Sequence, residues 1–325
     1  MQMHVEEKSW PLRSPFQITG HTFHAVEAVW VTLTDDNVVG RGEAVGVYYH
    51  GDTPGSMRDE LEAVKAHVEE GATRLDLLDL LPAGGARNAL DCAMWDLECK
   101  REGVTIWEKL QMEPRELVTV ATVGLGSPED MAKRATEFSP YPHLKIKLDG
   151  DRPRERLRAI REARPDATLV VDVNQGWTLP QLEALLPDLV DLSIAFLEQP
   201  LPAGEDQGLE GFGSPIPLGA DESFQGRADY EAVRGRYDVL NIKLDKCGGL
   251  TEALAIIEQA RPDGLDLMVG NMTGTSLGMA PAHVVGQWCR FVDIDGPLLM
   301  REDITPGLSY LPGGIVPPPT PPLWG

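Results

Sequence analysis

HLKIKLDGDRPRERLRAIREARPDATLVVDVN, residues 143–174, contains the unit that decides the fold of this chain. Two short apolar runs, HLKIKL and TLVVDVN, have the β-branched enrichment of strands, and the charged stretch PRERLRAIREAR between them is helix-like. A strand, a helix and a second strand of this length are typical of a crossover between parallel strands. The unit therefore predicts a parallel sheet covered by helices.

The same alternation runs along the chain from about residue 116. Eight strand-like runs can be marked, at 116–123, 143–148, 168–174, 193–199, 216–222, 238–244, 265–270 and 290–295. Helix-like stretches separate them, most clearly at 127–138, where Ser127 and Pro128 are predicted as N-cap and first helical residue, at 153–164 and at 250–261. Residues 203–214 are glycine-rich, and we expect a loop or one short turn there. Eight such strands predict an α/β protein with a (β/α)8-type barrel.

The first 115 residues have a different pattern. Residues 24–45 indicate two strands joined by a turn at Asp35–Asn37, and residues 87–103 form a strong amphipathic helix pattern. We expect an α+β domain over 1–115 and the barrel over 116–299, with 300–325 joining the N-terminal domain. The proline-rich end, residues 312–325, cannot be helical and is expected to run over the surface.

Composition excludes several classes of function. The net charge of −22 over 325 residues argues against binding to nucleic acid or to anionic membranes, because their phosphates would be repelled. No apolar stretch approaches the roughly 20 residues of a membrane span, and no signal peptide opens the chain. The four cysteines show no CxxC pair, which indicates buried thiols in a reducing compartment, so we expect a cytoplasmic protein.

Five charged residues recur once per strand unit. Lys147, Asp172, Glu198, Asp221 and Lys243 stand at or near the ends of five consecutive runs, at intervals of 22 to 26 residues by subtraction of successive numbers. In a barrel of this kind the carboxyl ends of the strands meet at one mouth, where active sites form. The two lysines lie four strands apart, hence on opposite sides of that mouth.

Side-chain parity adds further polar residues to the mouth, since strand residues two apart share a face. Lys145 accompanies Lys147, Asn174 follows Asp172, Asn241 precedes Lys243, and Asp293 pairs with Asp295 on the eighth strand. Asn174, Asn241 and Glu222, next to Asp221, are expected to support the central residues.

These residue types point to one chemistry. Three oxygen ligands without histidine or cysteine suit Mg²⁺ first and Mn²⁺ second. Such an ion could hold a substrate carboxylate and stabilise the enediolate that forms when the adjacent carbon loses a proton. Desolvation and a nearby dication should lower the pKa of Lys147 and Lys243, so that one acts as base and the other as acid. The simplest outcome is inversion at that carbon.

The motifs resemble the enolase superfamily, its muconate-cycloisomerase-like subgroup and, within it, the dipeptide epimerases of the L-Ala-D/L-Glu type. The resemblance covers essentially the whole chain and includes GRGEA (40–44), 87–98, Lys145-Ile-Lys147, NIKLDKCGG (241–249), MVGNM (268–272) and DIDGPLL (293–299). It implies a (β/α)7β barrel under an N-terminal capping domain. It also implies catalysis by Lys147 and Lys243 and metal binding by Asp172, Glu198 and Asp221.

The same resemblance implies a substrate site. Asp293 and Asp295 match a DxD motif that binds the α-ammonium group of a dipeptide, which two carboxylates on one face suit. Thr122, Lys145, Asn271 and Tyr48 are expected to contact substrate as well. Glutamate-selective relatives carry an arginine near position 21, where this chain has His21. Two alternatives stay open: His21 or His24 takes the place of the arginine, or the second residue of the dipeptide has an apolar or cationic side chain.

Other functions use the same residues. Racemisation of an N-acylamino acid needs the same lysines and metal but has no ammonium group for Asp293 and Asp295. Cycloisomerisation and o-succinylbenzoate-type dehydration also remain open, as does a non-catalytic member of the superfamily. The partners that we expect are a small-molecule substrate and further copies of the chain in a homo-oligomer.

Overall fold

The N-terminal part of the chain is an antiparallel sheet covered by helices, in a computed structural model that describes all residues 1–325. Its elements are β1 (Gln2–Ile18), β2 (His21–Asp35), β3 (Val38–Ala44), α1 (Pro54–Glu69), α2 (Leu77–Leu80), α3 (Gly85–Glu102) and α4 (Ile106–Lys109). The β2–β3 pair turns at Asp36, whose φ of 54° is left-handed. The predicted strand pair and the predicted helix at 87–103 are confirmed, whereas β1 was not predicted.

The remaining elements alternate between strand and helix. The strands are β4 (Leu117–Val118), β5 (Ala121–Val123), β6 (His143–Lys147), β7 (Thr168–Asp172), β8 (Ile194–Glu198), β9 (Leu218–Ala220), β10 (Val239–Ile242), β11 (Asp266–Val269), β12 (Phe291–Val292) and β13 (Ile315–Val316). The helices are α5 (Pro128–Glu137), α6 (Pro153–Ala163), α7 (Leu179–Asp191), α8 (Tyr230–Val233), α9 (Leu244–Cys247), α10 (Leu250–Ala260), α11 (Ser276–Gly286) and α12 (Gly296–Leu299). None of the helices is both long enough and apolar enough to cross a membrane.

Strands β5 to β12 lie side by side in chain order as one parallel eight-stranded sheet. The sheet closes where the Val120 amide donates to the Val292 carbonyl, at 3.0 Å. After β12, the last strand of this sheet, the only helix is the four-residue α12, so the barrel has the (β/α)7β form. Residues 203–214 hold a single turn of 3-10 helix, Gln207–Leu209, as expected from their glycine content.

Side-chain alternation in the strands sorts the barrel into an outer and an inner layer. Leu144 and Ile146 of β6 belong to the large core between strands and helices. The inner layer is filled below the mouth by a small separate cluster, Val170, Phe196, Val239 and Met268 with Phe291 against it. Lys145 and Lys147, of opposite parity to Leu144 and Ile146, are buried in the barrel. The predicted parity of β6 is therefore confirmed.

Helix α3 joins the two parts of the molecule. Leu90 and Leu97 pack into a core of 17 buried residues beneath the N-terminal sheet. Cys92, Trp95 and Cys99, on another face of the same helix, belong to the barrel core. The N-terminal sheet is thereby fixed against the barrel as a capping domain.

Two expectations about the ends of the barrel are wrong. The run 116–123 is not one strand, because β4 pairs antiparallel with β13 and the chain then turns into β5. The proline-rich end does not run over the surface. Trp324 is fully buried and donates its indole N–H to the Cys92 carbonyl at 3.0 Å, and the Gly325 amide donates to Asp96 at 2.8 Å. The tail therefore joins α3 of the capping domain.

Candidate active site

The barrel mouth brings the predicted carboxylates together. Asp172 and Glu198 end β7 and β8, and Asp221 follows β9 directly. One carboxylate oxygen from each lies within 4.8 Å of the others, and all three side chains are buried. The parallel register of the strands brings these residues together, because Lys147 lies beside Asp172 and Asp172 lies beside Glu198 on neighbouring strands.

The two lysines that flank this triad contact different members of it. Lys147 Nζ lies 2.6 Å from Asp172 Oδ2 and donates to Asn174 Oδ1 at 3.0 Å. Lys243 Nζ lies 2.7 Å from Asp221 Oδ2. Strands β6 and β10, which lead to these lysines, are four positions apart in a ring of eight. The ammonium groups therefore approach the triad from opposite sides of the barrel.

Lys145 lies deeper and contacts three carboxylates at once. Its Nζ is 2.8 Å from Glu198 Oε2, 2.9 Å from Asp293 Oδ2 and 3.1 Å from Asp172 Oδ2. The contact with Glu198 has the distance of an ion pair but not the direction of a hydrogen bond, so Glu198 Oε2 is buried without a hydrogen-bond donor. These contacts outweigh the effect of burial and raise the pKa of Lys145, which keeps it cationic.

Lys246 belongs to the site and was not predicted. It is buried, and its Nζ donates to Asp221 Oδ1 and to the Asp221 carbonyl, both at 2.6 Å, and to the Asn241 carbonyl at 3.1 Å. Asp221 is therefore held between two lysines, one at each carboxylate oxygen. The sequence signal was its position three residues after Lys243, within NIKLDKCGG.

The residues of the mouth fit a divalent cation. Four buried lysines face six buried carboxyl groups, so the mouth has two negative charges in excess when all of them are ionised: Lys145, Lys147, Lys243 and Lys246 against Asp172, Glu198, Asp221, Glu222, Asp293 and Asp295. Burial and the neighbouring Asp172 raise the pKa of Glu198 to about 7, so this carboxylate lacks sufficient positive charge around it. The all-oxygen triad and the free Glu198 oxygen suit a hard cation such as Mg²⁺ or Mn²⁺.

The expected lowering of the lysine pKa depends on the dication and stays a prediction. Burial alone would lower the pKa of Lys243, but the Asp221 carboxylate at 2.7 Å outweighs it, and the pKa is raised. The same contacts with Lys243 and Lys246 overcome burial and hold the pKa of Asp221 well below its usual range. A dication shared by Asp221 would oppose the effect of that carboxylate on Lys243.

Asp293 and Asp295 follow β12, the eighth strand of the barrel. Because the barrel is closed, they lie next to β5, the first strand. Asp293 accepts from Lys145 and, at 2.9 Å, from Asn271 Nδ2. Asp295 accepts from the Thr122 backbone amide at 2.7 Å. Burial and the adjacent Asp293 raise the pKa of Asp295 to about 8. This pair would be stabilised by a further cation.

The other predicted polar residues support the triad and Lys147. Asn241 Nδ2 donates to Glu198 Oε1 at 2.7 Å. Asn174, held at a left-handed φ of 45°, accepts from Lys147 and donates to Glu222 Oε1 at 3.2 Å. That last contact orients the Asn174 amide with its oxygen towards Lys147.

A cavity of about 270 Å³ opens beside Lys147, between barrel and capping domain. Three residues predicted to contact substrate line it, His21 and Tyr48 from the capping side and Asn271 from the barrel. His21 belongs to a β-hairpin whose strands are β1 and β2, and its ring lies 5.1 Å from that of Tyr48. The remaining lining is mostly apolar and includes Leu12, Phe16, Ile18, Phe23, Val26, Val45 and Met272, with Glu27, Asp52, Thr53 and Thr273 among the polar residues. His24 does not line the cavity.

The barrel mouth thus combines a carboxylate triad that could hold a metal ion with two lysines on opposite sides of it. The family model "Enolase C-terminal domain-like" matches residues 129–322, and "Mandelate racemase / muconate lactonizing enzyme, N-terminal domain" matches residues 1–110. The chain therefore belongs to the enolase superfamily, in its mandelate racemase and muconate lactonizing enzyme branch.

Several relatives share nearly the whole chain. L-Ala-D/L-Glu epimerase of Escherichia coli is 41% identical over 96% of this chain and 98% of its own length. An Agrobacterium tumefaciens structure with homology to dipeptide epimerases, with bound sodium and L-Ala-L-Glu, has a TM-score of 0.96 and 41% identity, covering 99% of each chain. The dipeptide epimerase of Methylococcus capsulatus, complexed with Mg and L-Arg-D-Lys, has a TM-score of 0.90 and 30% identity, covering 98% and 96%.

Proposed function

We propose that this chain is a Mg²⁺-dependent dipeptide epimerase that inverts the α-carbon of the C-terminal residue of a dipeptide. The observation that carries the proposal is the pair of lysines, Lys147 and Lys243, each 2.6 to 2.7 Å from a different carboxylate of one triad and on opposite sides of the barrel. Proton removal on one face of a carbon and proton return on the other give inversion.

The lysines act as the acid and base of the reaction. For one epimer Lys147 takes the α-proton and Lys243 returns one to the opposite face, and for the other epimer the roles are reversed. Lys145, held cationic by the carboxylates around it, binds the carboxylate of the substrate. Asp172, Glu198 and Asp221 would hold Mg²⁺, or Mn²⁺ in its place, which would supply a Lewis acid for the charge that develops on the substrate carboxylate.

The substrate class is supported by the acidic pair on the eighth strand. Asp293 and Asp295 are both buried at one place, and burial and the adjacent Asp293 raise the pKa of Asp295 to about 8, so an ammonium group that stabilises both carboxylates is a favourable partner there. Relatives at 41% and 30% identity are named or bound with dipeptides, which supports the same class for this chain.

The side chain of the C-terminal residue is proposed to enter the cavity lined by His21 and Tyr48. No arginine lines that cavity, whose walls are mostly apolar. A glutamate side chain would find no bidentate partner there. The lining therefore favours an apolar side chain, and glutamate is the comparison that a screen must include.

A dipeptide library incubated with the protein and Mg²⁺ in D₂O, read by mass spectrometry, tests the proposal. Substrates gain one mass unit as the α-proton exchanges. Lys147→Ala and Lys243→Ala should each abolish inversion, and Lys→Arg should not restore it, because guanidinium is not a base at neutral pH. Lys65→Ala, at a partly exposed lysine on α1, is the matched control and should be fully active. No exchange by the wild-type protein with any dipeptide or N-acylamino acid would contradict an enzymatic function.

A second comparison separates dipeptides from N-acylamino acids. The double change Asp293→Asn and Asp295→Asn should abolish dipeptide turnover, since the ammonium group loses both carboxylates. Turnover of an N-acylamino acid should persist, since that substrate has no ammonium group. If the double variant keeps dipeptide turnover, the acidic pair does not bind the substrate amine.

We also propose a division into a capping domain, 1–115 with 300–325, and a barrel, 116–299, supported by their separate cores. A cytoplasmic location is supported by the four buried free cysteines. We further propose a homo-oligomer that binds neither nucleic acid nor membranes, in keeping with the charge of −22. Light scattering coupled to size-exclusion chromatography tests the oligomeric state.

A further inference from the structure

Two carboxylates outside the lysine cluster, one buried and one partly buried, join the capping domain to the barrel. Asp245, in α9 two residues after Lys243, accepts from the backbone amides of Val45 at 2.9 Å and Gly46 at 2.8 Å, both through Oδ1. These amides belong to the capping segment that follows β3. The contact therefore runs from a barrel loop to the cap.

The second carboxylate belongs to the capping domain and contacts the barrel. Glu43, the penultimate residue of β3, is only 2% exposed and reaches the loop after β11. Its Oε1 accepts from the Thr275 amide at 2.7 Å, and its Oε2 accepts from the Thr275 hydroxyl and the Trp30 indole, both at 2.6 Å. A Cβ at Gly274 would lie 2.8 Å from Glu43 Oε1, so the carboxylate fits closely against the start of α11.

The capping segment that follows these anchor points carries residues of the cavity. Tyr48 lines the cavity together with Lys147, and the Tyr49 hydroxyl lies 3.3 Å from Gln225 Nε2. Gln225 donates in turn to the Glu222 carbonyl at 2.8 Å, next to Asp221. Thr275 follows Asn271, which lines the cavity from the barrel. The anchors thus hold the two walls of the cavity at a fixed separation.

The stability of the contact between the domains does not by itself account for the carboxylates of Asp245 and Glu43. Burying a carboxylate is costly unless its hydrogen bonds are complete, and an apolar contact between the domains would avoid that cost. Burial raises the pKa of Glu43 to about 7 and also raises that of Asp245, despite their donors. Unlike apolar side chains, the two carboxylates fix the direction of the contact between the domains. Asp245 accepts from two backbone amides of the capping domain, and Glu43 accepts from the amide and the hydroxyl of Thr275 in the barrel.

We infer that Asp245 and Glu43 are positioning residues for the substrate, which clamp the capping segment 45–50 to the barrel so that Tyr48 closes the cavity beside Lys147. The expected effect on KM rests on the proposed function. The expected effect on amide exchange of the capping segment does not. The positioning role concerns substrate binding more than proton transfer, because neither residue contacts Lys147 or the Asp172 carboxylate.

The test compares Asp245→Asn with Asp245→Ala. Both amides bind to one oxygen, so asparagine can keep both hydrogen bonds and alanine keeps neither. In Asp245→Ala the amides of Val45 and Gly46 should exchange with D₂O about tenfold faster or more. The KM for the best dipeptide should rise about tenfold, with kcat within about threefold of wild type. Asp245→Asn should restore both properties.

Thr275→Val and Thr275→Ser provide a second pair, in case Asp245→Ala fails to fold. Serine keeps the hydroxyl that donates to Glu43, and valine removes it at nearly constant volume. The valine variant should show the raised KM and the faster exchange of residues 43–46, and the serine variant should not. Wild-type exchange rates and KM in both Asp245→Ala and Thr275→Val overturn the inference. Because amide exchange needs no substrate, it tests the clamp even if no dipeptide is turned over.

Discussion

Replacement of Lys246 by methionine should destabilise the protein without emptying space in the core. Methionine has similar length, so packing is preserved and the ammonium group alone is lost. Asp221 Oδ1 then has no hydrogen-bond donor among the side chains around it, while Oδ2 keeps Lys243. The Asp221 carbonyl keeps the amide of Phe224 at 3.1 Å. The loss thus falls mainly on one buried carboxylate oxygen, together with the contact to the Asn241 carbonyl at 3.1 Å.

Removing one partner of a buried ion pair costs about 3 to 5 kcal/mol, and the remaining Lys243 contact places Lys246→Met at about 3 kcal/mol. With an unfolding entropy of roughly 2.1 cal/mol/K per residue, 325 residues correspond to about 0.7 kcal/mol/K. The melting temperature should therefore fall by about 4 °C in the presence of a chelator.

Differential scanning calorimetry at neutral pH measures this shift, and Lys65→Met is its control. Lys65 is partly exposed and pairs only with Glu62 on the same helix, so its loss should shift the melting temperature by less than about 1 °C. Saturating Mg²⁺ should reduce the difference in melting temperature between Lys246→Met and wild type, because a cation bound by Asp221 replaces part of the missing positive charge. A Lys246→Met protein as stable as wild type in chelator would refute the assigned partnership with Asp221.

Three further predictions concern the tail, a buried histidine and a support of the triad. Trp324→Ala should lower the free energy of unfolding by about 3 to 5 kcal/mol in urea titrations, because a fully buried indole and its hydrogen bond are lost; an unchanged midpoint would contradict the docked tail. Burial lowers the pKa of His283 to about 4, so its contribution to stability is complete above pH 6.5 and falls by about 3 kcal/mol towards pH 4. His283→Gln can still donate to the Val316 carbonyl, and its free energy of unfolding should lack this fall between pH 6.5 and pH 4. If wild type and variant lose stability equally over that range, His283 is not the group responsible. Gln199→Leu removes the acceptor of the Asp221 amide and should weaken Mg²⁺ binding in calorimetry at least tenfold, whereas Gln199→Glu keeps the acceptor and should bind more tightly than the leucine variant.

Much of the site could be predicted because strand geometry is regular. The alternation of side chains fixes that Lys145 and Lys147 share the inner face, and parallel register places Asp172 and Glu198 beside them. The predicted function rested on the same regularity, since opposed lysines imply proton transfer on two faces of one carbon. The similarity to dipeptide epimerases agrees with that interpretation.

Features that depend on contacts between distant segments could not be predicted. Lys246 lies in a single turn of helix after β10, where neither strand nor long-helix periodicity determines the direction of a side chain. The raised pKa of Lys243 depends on a distance of 2.7 Å to Asp221, which spacing alone does not give. Trp324 is buried because it meets Cys92 across more than two hundred residues, and a proline-rich composition contains no sign of that contact.

The central claim is that two lysines act on opposite faces of one α-carbon. Its most direct test is α-proton exchange in D₂O by the single variants Lys147→Ala and Lys243→Ala, starting separately from each epimer of the best dipeptide. Each variant should fail to interconvert the epimers. Each should still exchange the α-proton of one epimer, and the two variants should differ in which epimer that is. Exchange of both epimers by either variant, or retained inversion by one of them, would contradict the claim.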